Sequence, residues 1–253
     1  MDVIDLREFY SGPLGATARR LVMHRIRTRI RTPVGGCVVG LGYATPYIEG
    51  WRDGAEAVVG FMPARQGVVR WPDNGLCASA LVDETDLPLS DNSVDVMVVV
   101  HGLETADDPP GLLREAWRVL ASGGRLLLVV ANRRGVWASV DATPFGQGRP
   151  FSRRQLTSLL REARFSPAGW SHALFVPPID RAFLRRSAAA WERVGLWLWP
   201  ALSGVIIVEA TKQVYATVSD RKRKRLARLR PSLAPVPHGA TPHLPRSSPE
   251  RPA

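Results

Sequence analysis

Two glycines one residue apart, Gly40 and Gly42, close an apolar run that starts at residue 36. Glycines there let a strand turn sharply into a helix and let backbone N–H groups approach a ligand. Ala44, the third small residue of the turn, still permits close packing of helix on strand. His101 ends a second apolar run, residues 94–100; an imidazole titrates near neutrality, which suits proton transfer at a strand end. The acidic cluster Asp83-Glu84-Thr85-Asp86 follows a third apolar stretch and could accept hydrogen bonds from a ligand, or simply cap a turn. A Gly-x-Gly turn alone also occurs in α/β folds that bind no nucleotide. Cys37 and Cys77 both lie in apolar runs and read as buried thiols, with no disulfide framework and no metal site expected.

Holding these groups requires regular elements. Residues 35–40, 57–61, 76–82, 94–100 and 125–131 read as strands, and the run 94–100 is apolar enough to be buried on both faces. A helix is expected over about 46–53. A second starts at Asp107-Asp108-Pro109-Pro110, carries Leu112, Leu113, Ala116, Trp117 and Leu120 at helical spacing, and ends at Ser122-Gly123-Gly124. Ser152 and Gln155 stand at capping-box spacing and open another helix after the Gly- and Pro-rich loop 143–150. Beyond it come a strand over 168–176, a helix over 181–199 with Trp191, Trp197 and Trp199, and a strong strand from 203 toward Tyr215. They could line an aromatic substrate pocket or bind a membrane surface, but core packing is expected of at least two of them. Alternating strands and helices predict a doubly wound α/β sheet with right-handed crossovers and helices on both faces.

Residues 12–31 form an expected amphipathic helix whose arginines (Arg19, Arg20, Arg25, Arg27, Arg29, Arg31) face solvent or cap a cleft. The chain begins acidic with no apolar signal-peptide core, and its longest uncharged apolar stretch, residues 194–208, is too short to span a bilayer. A cytoplasmic protein is therefore expected. The net charge of +11 is mostly a tail property: residues 219–253 hold nine Lys/Arg against Asp220 and Glu250, which leaves +4 on the rest. That tail holds seven of the 21 prolines and no aromatic residue, so it is expected to be disordered and a poor reader of nucleic-acid bases. The organisation expected is an N-terminal helical cap (1–33), an α/β domain (34–217) and a basic Pro-rich tail (218–253).

Two further blocks narrow the reading. One runs Asp83-Glu84-Thr85-Asp86-Leu87-Pro88-Leu89-Ser90-Asp91-Asn92-Ser93-Val94-Asp95; the other runs Glu115-Ala116-Trp117-Arg118-Val119-Leu120-Ala121-Ser122-Gly123-Gly124-Arg125-Leu126. With Gly40 and Gly42 before them, they resemble the class I S-adenosylmethionine-dependent methyltransferases of the small-molecule type. Leu159-Leu160-Arg161-Glu162-Ala163-Arg164-Phe165 is similar to a late segment of the same enzymes. The resemblance implies a Rossmann-like, seven-stranded methyltransferase sheet with an antiparallel last strand. It implies S-adenosylmethionine as cofactor, bound by Gly40, Leu41, Gly42, Tyr43, Phe61, Met62, Asp83, Glu84 and His101, with Asp83 on the adenine amino group. His101 is then the candidate base for an acceptor that must lose a proton.

Two positions depart from the family pattern. Val38 stands where an acid usually precedes the first glycine, and Met62 stands where an acid usually binds the ribose hydroxyls. The reading is methyl transfer to an unidentified small molecule; the alternative is an inactive methyltransferase-like binding or regulatory module. Nucleic-acid binding through the basic tail is a lesser expectation, and the sequence leaves the oligomeric state open.

Overall fold

The apolar runs and glycine turns resolve, in a computed structural model that describes residues 2–30 and 34–213, into seven helices and seven strands. In chain order these are α1 (Val3–Ser11), α2 (Pro13–Arg29), β1 (Cys37–Gly42), α3 (Thr45–Ile48), β2 (Ala57–Pro63), β3 (Ser79–Val82), β4 (Val94–Val100), α4 (Pro109–Val119) and β5 (Leu120–Ala131). They continue with α5 (Arg153–Glu162), β6 (Phe165–Ala173), α6 (Ala182–Arg186), α7 (Ala188–Leu198) and β7 (Val205–Lys212). The strands form one sheet in the order β3-β2-β1-β4-β5-β7-β6. Neighbours from β3 to β5 run parallel, whereas β7 is antiparallel to both β5 and β6. The expected seven-stranded sheet with an antiparallel last strand is what the chain forms.

The apolar run of β4 packs on two sides, as its composition requires. Val96, Val98 and Val100 join one core with residues of α1, α2 and α3; Met97 and Val99 join the other with residues of α4 and α5. Strand order reverses between β1 and β4, and open α/β sheets hold ligands at the carboxyl ends of such a pair.

Several expectations need correcting. Within the expected helical cap, α1 precedes the helix expected over 12–31, because Val3, Leu6 and Tyr10 give it a buried face and Asp2 with Asp5 forms a capping box. The helix expected over 46–53 is one α-helical turn followed by a 3-10 turn. Ser122-Gly123-Gly124 does not stop a helix. β5 has already begun at Leu120, and its pairing with β4 jumps from Val94↔Leu120 to Val96↔Arg125, so these residues form a bulge with Gly123 at φ +85°. The helix expected over 181–199 breaks at Ser187. Cys77 is exposed and Cys37 half-buried, because Cys77 precedes the short strand β3 rather than lying inside it. Trp197 and Trp199 are 83% and 54% exposed, so they are not core residues.

The arginine face of α2 is only partly solvated. Arg29 donates to Ser171 Oγ and to the Trp170 carbonyl, and Arg25 lies 3.8 Å from Glu192. α2 is thereby tied to β6 and α7. No helix among the described residues is long and apolar enough to cross a membrane. The tail expectations for 218–253 fall outside the described residues.

Ser152 is the N-cap of α5: its Oγ accepts from Gln155 N at 3.3 Å, and Gln155 Oε1 accepts from Ser152 N at 2.9 Å. Ser152→Ala is expected to cost about 1 kcal/mol. That loss would be read as a lowered urea midpoint at unchanged slope, since only one helix terminus loses its partner.

Candidate functional site

Gly42 and Val100 are register partners at the carboxyl ends of β1 and β4. Gly42 has φ +79°, and a Cβ there would overlap the Val100 carbonyl oxygen and come within 2.9 Å of Gly102 N. Tyr43 N donates to the same Val100 carbonyl at 2.8 Å. Glycine is required here because two strand ends touch. At Gly40 the constraint comes from α3, with Ile48 and Ala44 side-chain carbons at 2.7 and 2.9 Å from a built Cβ.

His101 leaves β4 at φ +52°, a conformation uncommon outside glycine. Two donors hold it there, Gln66 Nε2 at 3.2 Å and Thr105 Oγ1 at 3.1 Å, both on its carbonyl oxygen. Its ring packs against Phe145 at 4.8 Å and Tyr10 at 5.8 Å between centroids. Tyr10 also stacks on Tyr43 at 5.4 Å, so α1 lies over the glycine turn. The start of α1 is fixed by Val3 N donating to the Gln66 carbonyl.

Burial pushes the His101 pKa down to about 3, so its ring is neutral near pH 7. Burial raises the Tyr10 and Tyr47 hydroxyls above their ordinary range. Tyr47 donates to Tyr10 Oη at 2.9 Å, which leaves the Tyr10 hydrogen for His101 Nε2 at 2.8 Å. The imidazole proton therefore sits on Nδ1. This chain of three neutral groups orders the sheet end without placing a charge in it.

Two acceptors near His101 have no partner among the described residues. Gln66 Oε1 is one; Glu104 Oε2 is the other, while Glu104 Oε1 accepts from Ala131 N at 2.8 Å. Burial raises the Glu104 pKa to about 7. Unpaired buried acceptors are costly, and such groups suit a hydrogen-bond donor brought by a ligand. Sequence reasoning missed Tyr10, Tyr47, Glu104 and Phe145. Glu104 did leave a signal, as an acid three residues beyond His101 where the chain leaves a buried strand.

The other expected site residues divide. Tyr43 and His101 are brought together beside Gly40 and Gly42. Leu41 and Phe61 are buried in the core on the α4 side, and Met62 is fully buried in the opposite core, its Sδ accepting from Val69 N at 3.4 Å. The side chains of all three are buried. Asp83 and Glu84 follow β3, two strands away, where Asp83 is exposed. Asp83 Oδ1 accepts from Thr85 N and Oγ1 at 2.8 and 2.7 Å, which holds its carboxyl below the usual range and leaves Oδ2 free. Val38 is buried among apolar side chains. Among the described residues no cluster of His, Cys, Asp and Glu could hold a metal ion.

The two long blocks turn out to be joined by Arg118. It donates to the Leu87 and Leu89 carbonyls at 3.0 and 2.8 Å and to Glu115, which in turn accepts from Leu87 N at 2.7 Å. Their spacing reflects a clamp on the loop before β4.

Residues 36–128 match the family model described as "Methyltransferase domain". Demethylmenaquinone methyltransferase from Paenarthrobacter aurescens (strain TC1) is 30% identical over 111 residues, which is 44% of this chain and 43% of that protein. The match thus spans less than half the length of the curated relative. Among solved structures, a SAM-dependent methyltransferase from Thermotoga maritima superposes with a TM-score of 0.58 at 18% identity, covering 83% of this chain and 96% of that one. The geranyl diphosphate C-methyltransferase of Streptomyces coelicolor A3(2), solved with S-adenosyl-L-homocysteine, gives 0.53 at 16% identity, covering 76% and 75%. The fold is that of the class I methyltransferases, and residues 36–128 match the methyltransferase family model.

S-adenosylmethionine is the cofactor this match brings. The orphaned Gln66 and Glu104 oxygens suit its amino group, and the free Asp83 Oδ2 suits an adenine amine. Met62 offers no carboxylate for a ribose. The residues present fit the two ends of the molecule better than its middle.

Proposed function

We propose that this chain is an S-adenosylmethionine-dependent methyltransferase acting on a small-molecule acceptor. The observation that carries the proposal is the pair of orphaned buried acceptors near His101, in a sheet whose residues 36–128 match the methyltransferase domain. When bound, the cofactor supplies an activated methyl group that leaves sulfur by in-line displacement. The Gly40–Tyr43 backbone, Gln66 and Glu104 hold its methionyl end, and Asp83 with Glu84 takes the adenine. Because α1 covers the glycine turn, it also keeps water from the transfer. His101 braces this end through Tyr10 and Tyr47; at a pKa of about 3 it is too weakly basic to be the first choice for accepting a proton near neutrality.

Acceptor identity draws on relatives alone: one is named for demethylmenaquinone and another for geranyl diphosphate. We take this chain to use a small organic acceptor of that general kind. The second reading, a binding module without turnover, rests on Met62. Losing two charge-assisted hydrogen bonds to a ribose costs about 3 kcal/mol, roughly 100-fold in affinity.

Calorimetric titration with S-adenosylmethionine and S-adenosylhomocysteine tests both. Binding is expected with a dissociation constant on the order of 100 µM, weakened about tenfold by Asp83→Asn. Absence of heat at millimolar ligand would overturn the enzyme reading; binding without methyl transfer to any quinone or prenyl acceptor would favour the module.

A further inference from the structure

The segment α6, α7 and the turn that follows it has no part in the site above, yet it carries the most exposed aromatic side chains among the described residues. Trp197 is 83% exposed and Phe183 77%, with Trp199, Leu198 and Leu202 about half exposed beside them. Charge on this segment has one sign. Residues 181–202 contain Arg181, Arg185, Arg186 and Arg193 against Glu192 alone. Glu192 is turned inward, buried and accepting from Phe175 N at 2.8 Å. Arg185 is paired with Asp180; the other three arginines have no ion pair among the described residues.

Two cavities adjoin this face and divide in the same manner. One, about 180 Å³, is apolar and runs between Trp191, Val194, Trp199 and Leu202 on one side and Trp137 and Leu174 on the other. The second, about 470 Å³, is basic: Arg134, Arg153 and Arg154 line it with His172, Ser152 and Asn132, and no carboxylate does. Ala201 lines the basic cavity and Leu202 the apolar one, so the two are neighbours.

We propose that this face docks peripherally on an anionic lipid bilayer, with Trp197, Phe183 and Trp199 entering the headgroup–acyl boundary and the arginines, including those of the basic cavity, meeting lipid phosphates. Tryptophan suits that boundary because its ring has an apolar body and a polar N–H, and arginine holds phosphate with a planar fork of donors. Apolar side chains in the interface together with a polybasic patch supply the two signals that stable peripheral binding needs. A second copy of the chain is the poorer occupant, since a two-fold contact here would set arginines against arginines. The apolar cavity ends at Trp137, which packs on Phe145 at 5.4 Å, and Phe145 packs on His101. The docking face and the candidate site are therefore adjacent, although the docking does not depend on the methyltransferase reading.

The test is co-sedimentation of the full chain with vesicles of two parts phosphatidylcholine to one part phosphatidylglycerol, and with phosphatidylcholine vesicles, following tryptophan emission. The expected result is binding to the anionic vesicles with a blue shift, and partitioning at least about tenfold weaker on phosphatidylcholine alone. A Phe183→Ser/Trp197→Ser double variant should bind the anionic vesicles about tenfold less well at an unchanged melting temperature, both side chains being exposed. If that variant bound as the parent does, attraction through the basic tail would account for the binding and the proposal would fail. It would also fail if inorganic phosphate bound the arginines while vesicles of either kind did not. Concentration-dependent dimerisation that the double variant abolishes, without vesicle binding, would assign the face to a second copy instead.

Discussion

A Gly42→Ala chain is expected to lose S-adenosylmethionine binding and to melt about 10 °C lower than its parent. The added methyl meets two separate penalties. At φ +79° a side chain costs about 1–2 kcal/mol in the backbone alone. The Cβ would also overlap the Val100 carbonyl, the oxygen that Tyr43 N uses, so β1 and β4 must part where the sheet is fully buried. Together these come to about 3 kcal/mol or more, and a domain near 200 residues shifts by about 2–4 °C per kcal/mol. Gly35→Ala isolates the first penalty, because Gly35 has φ +68° and nothing within 4 Å of a built Cβ. It should cost about 1 kcal/mol and leave ligand binding intact. Calorimetric melting of the pair decides the matter: equal losses would mean that closure of the turn on β4 contributes nothing.

The same turn shows how far the sequence could be read. Gly40 and Gly42 were legible as a strand-to-helix turn because the apolar run before them and the small residues in them are local signals. The space they provide is not local. It is taken by the β4 end and by α3, and no spacing within residues 36–46 could reveal that. The motif blocks at 83–95 and 115–126 pointed to the right sheet for a reason the sequence conceals: Glu115 and Arg118 hold the loop at Leu87 and Leu89, so their spacing records a fold contact. His101 was legible as a polar residue at a strand end. Its environment was not, since Tyr10, Tyr47 and Phe145 come from positions 91, 54 and 44 residues away in sequence. α1, which brings Tyr10, is nine residues long and was legible only as part of a helical cap, because its buried face is only three side chains. The tryptophans near 197 misled for the opposite reason: their composition suggested core, but α7 buries Ala188, Glu192 and Gly195, and the large rings fall on the other face.

Burial at His101 and Glu104 shifts two pKa values in opposite directions, and the stability curve should display both. His101 is held at about 3 in the folded chain against 6.5 as its ordinary value. The folded state therefore binds fewer protons there than the unfolded one between those limits, and stability falls as pH drops through them. Glu104 is held at about 7 against 4.5, so the folded state binds more protons, and the stability it contributes is present below 4.5 and lost as pH rises through 7. Between 4.5 and 6.5 the two slopes cancel, each worth about 1.4 kcal/mol per pH unit. Against the parent, His101→Gln should lose about 3 kcal/mol of relative stability across that window as pH rises, and Glu104→Gln should gain about the same. Urea unfolding at pH 4.5, 5.5 and 6.5 measures these tilts. Any fixed penalty from lost packing displaces a curve without tilting it, so the slopes report protonation alone. Curves parallel to the parent would show that both groups titrate in water, and that α1 does not close over this end of the sheet.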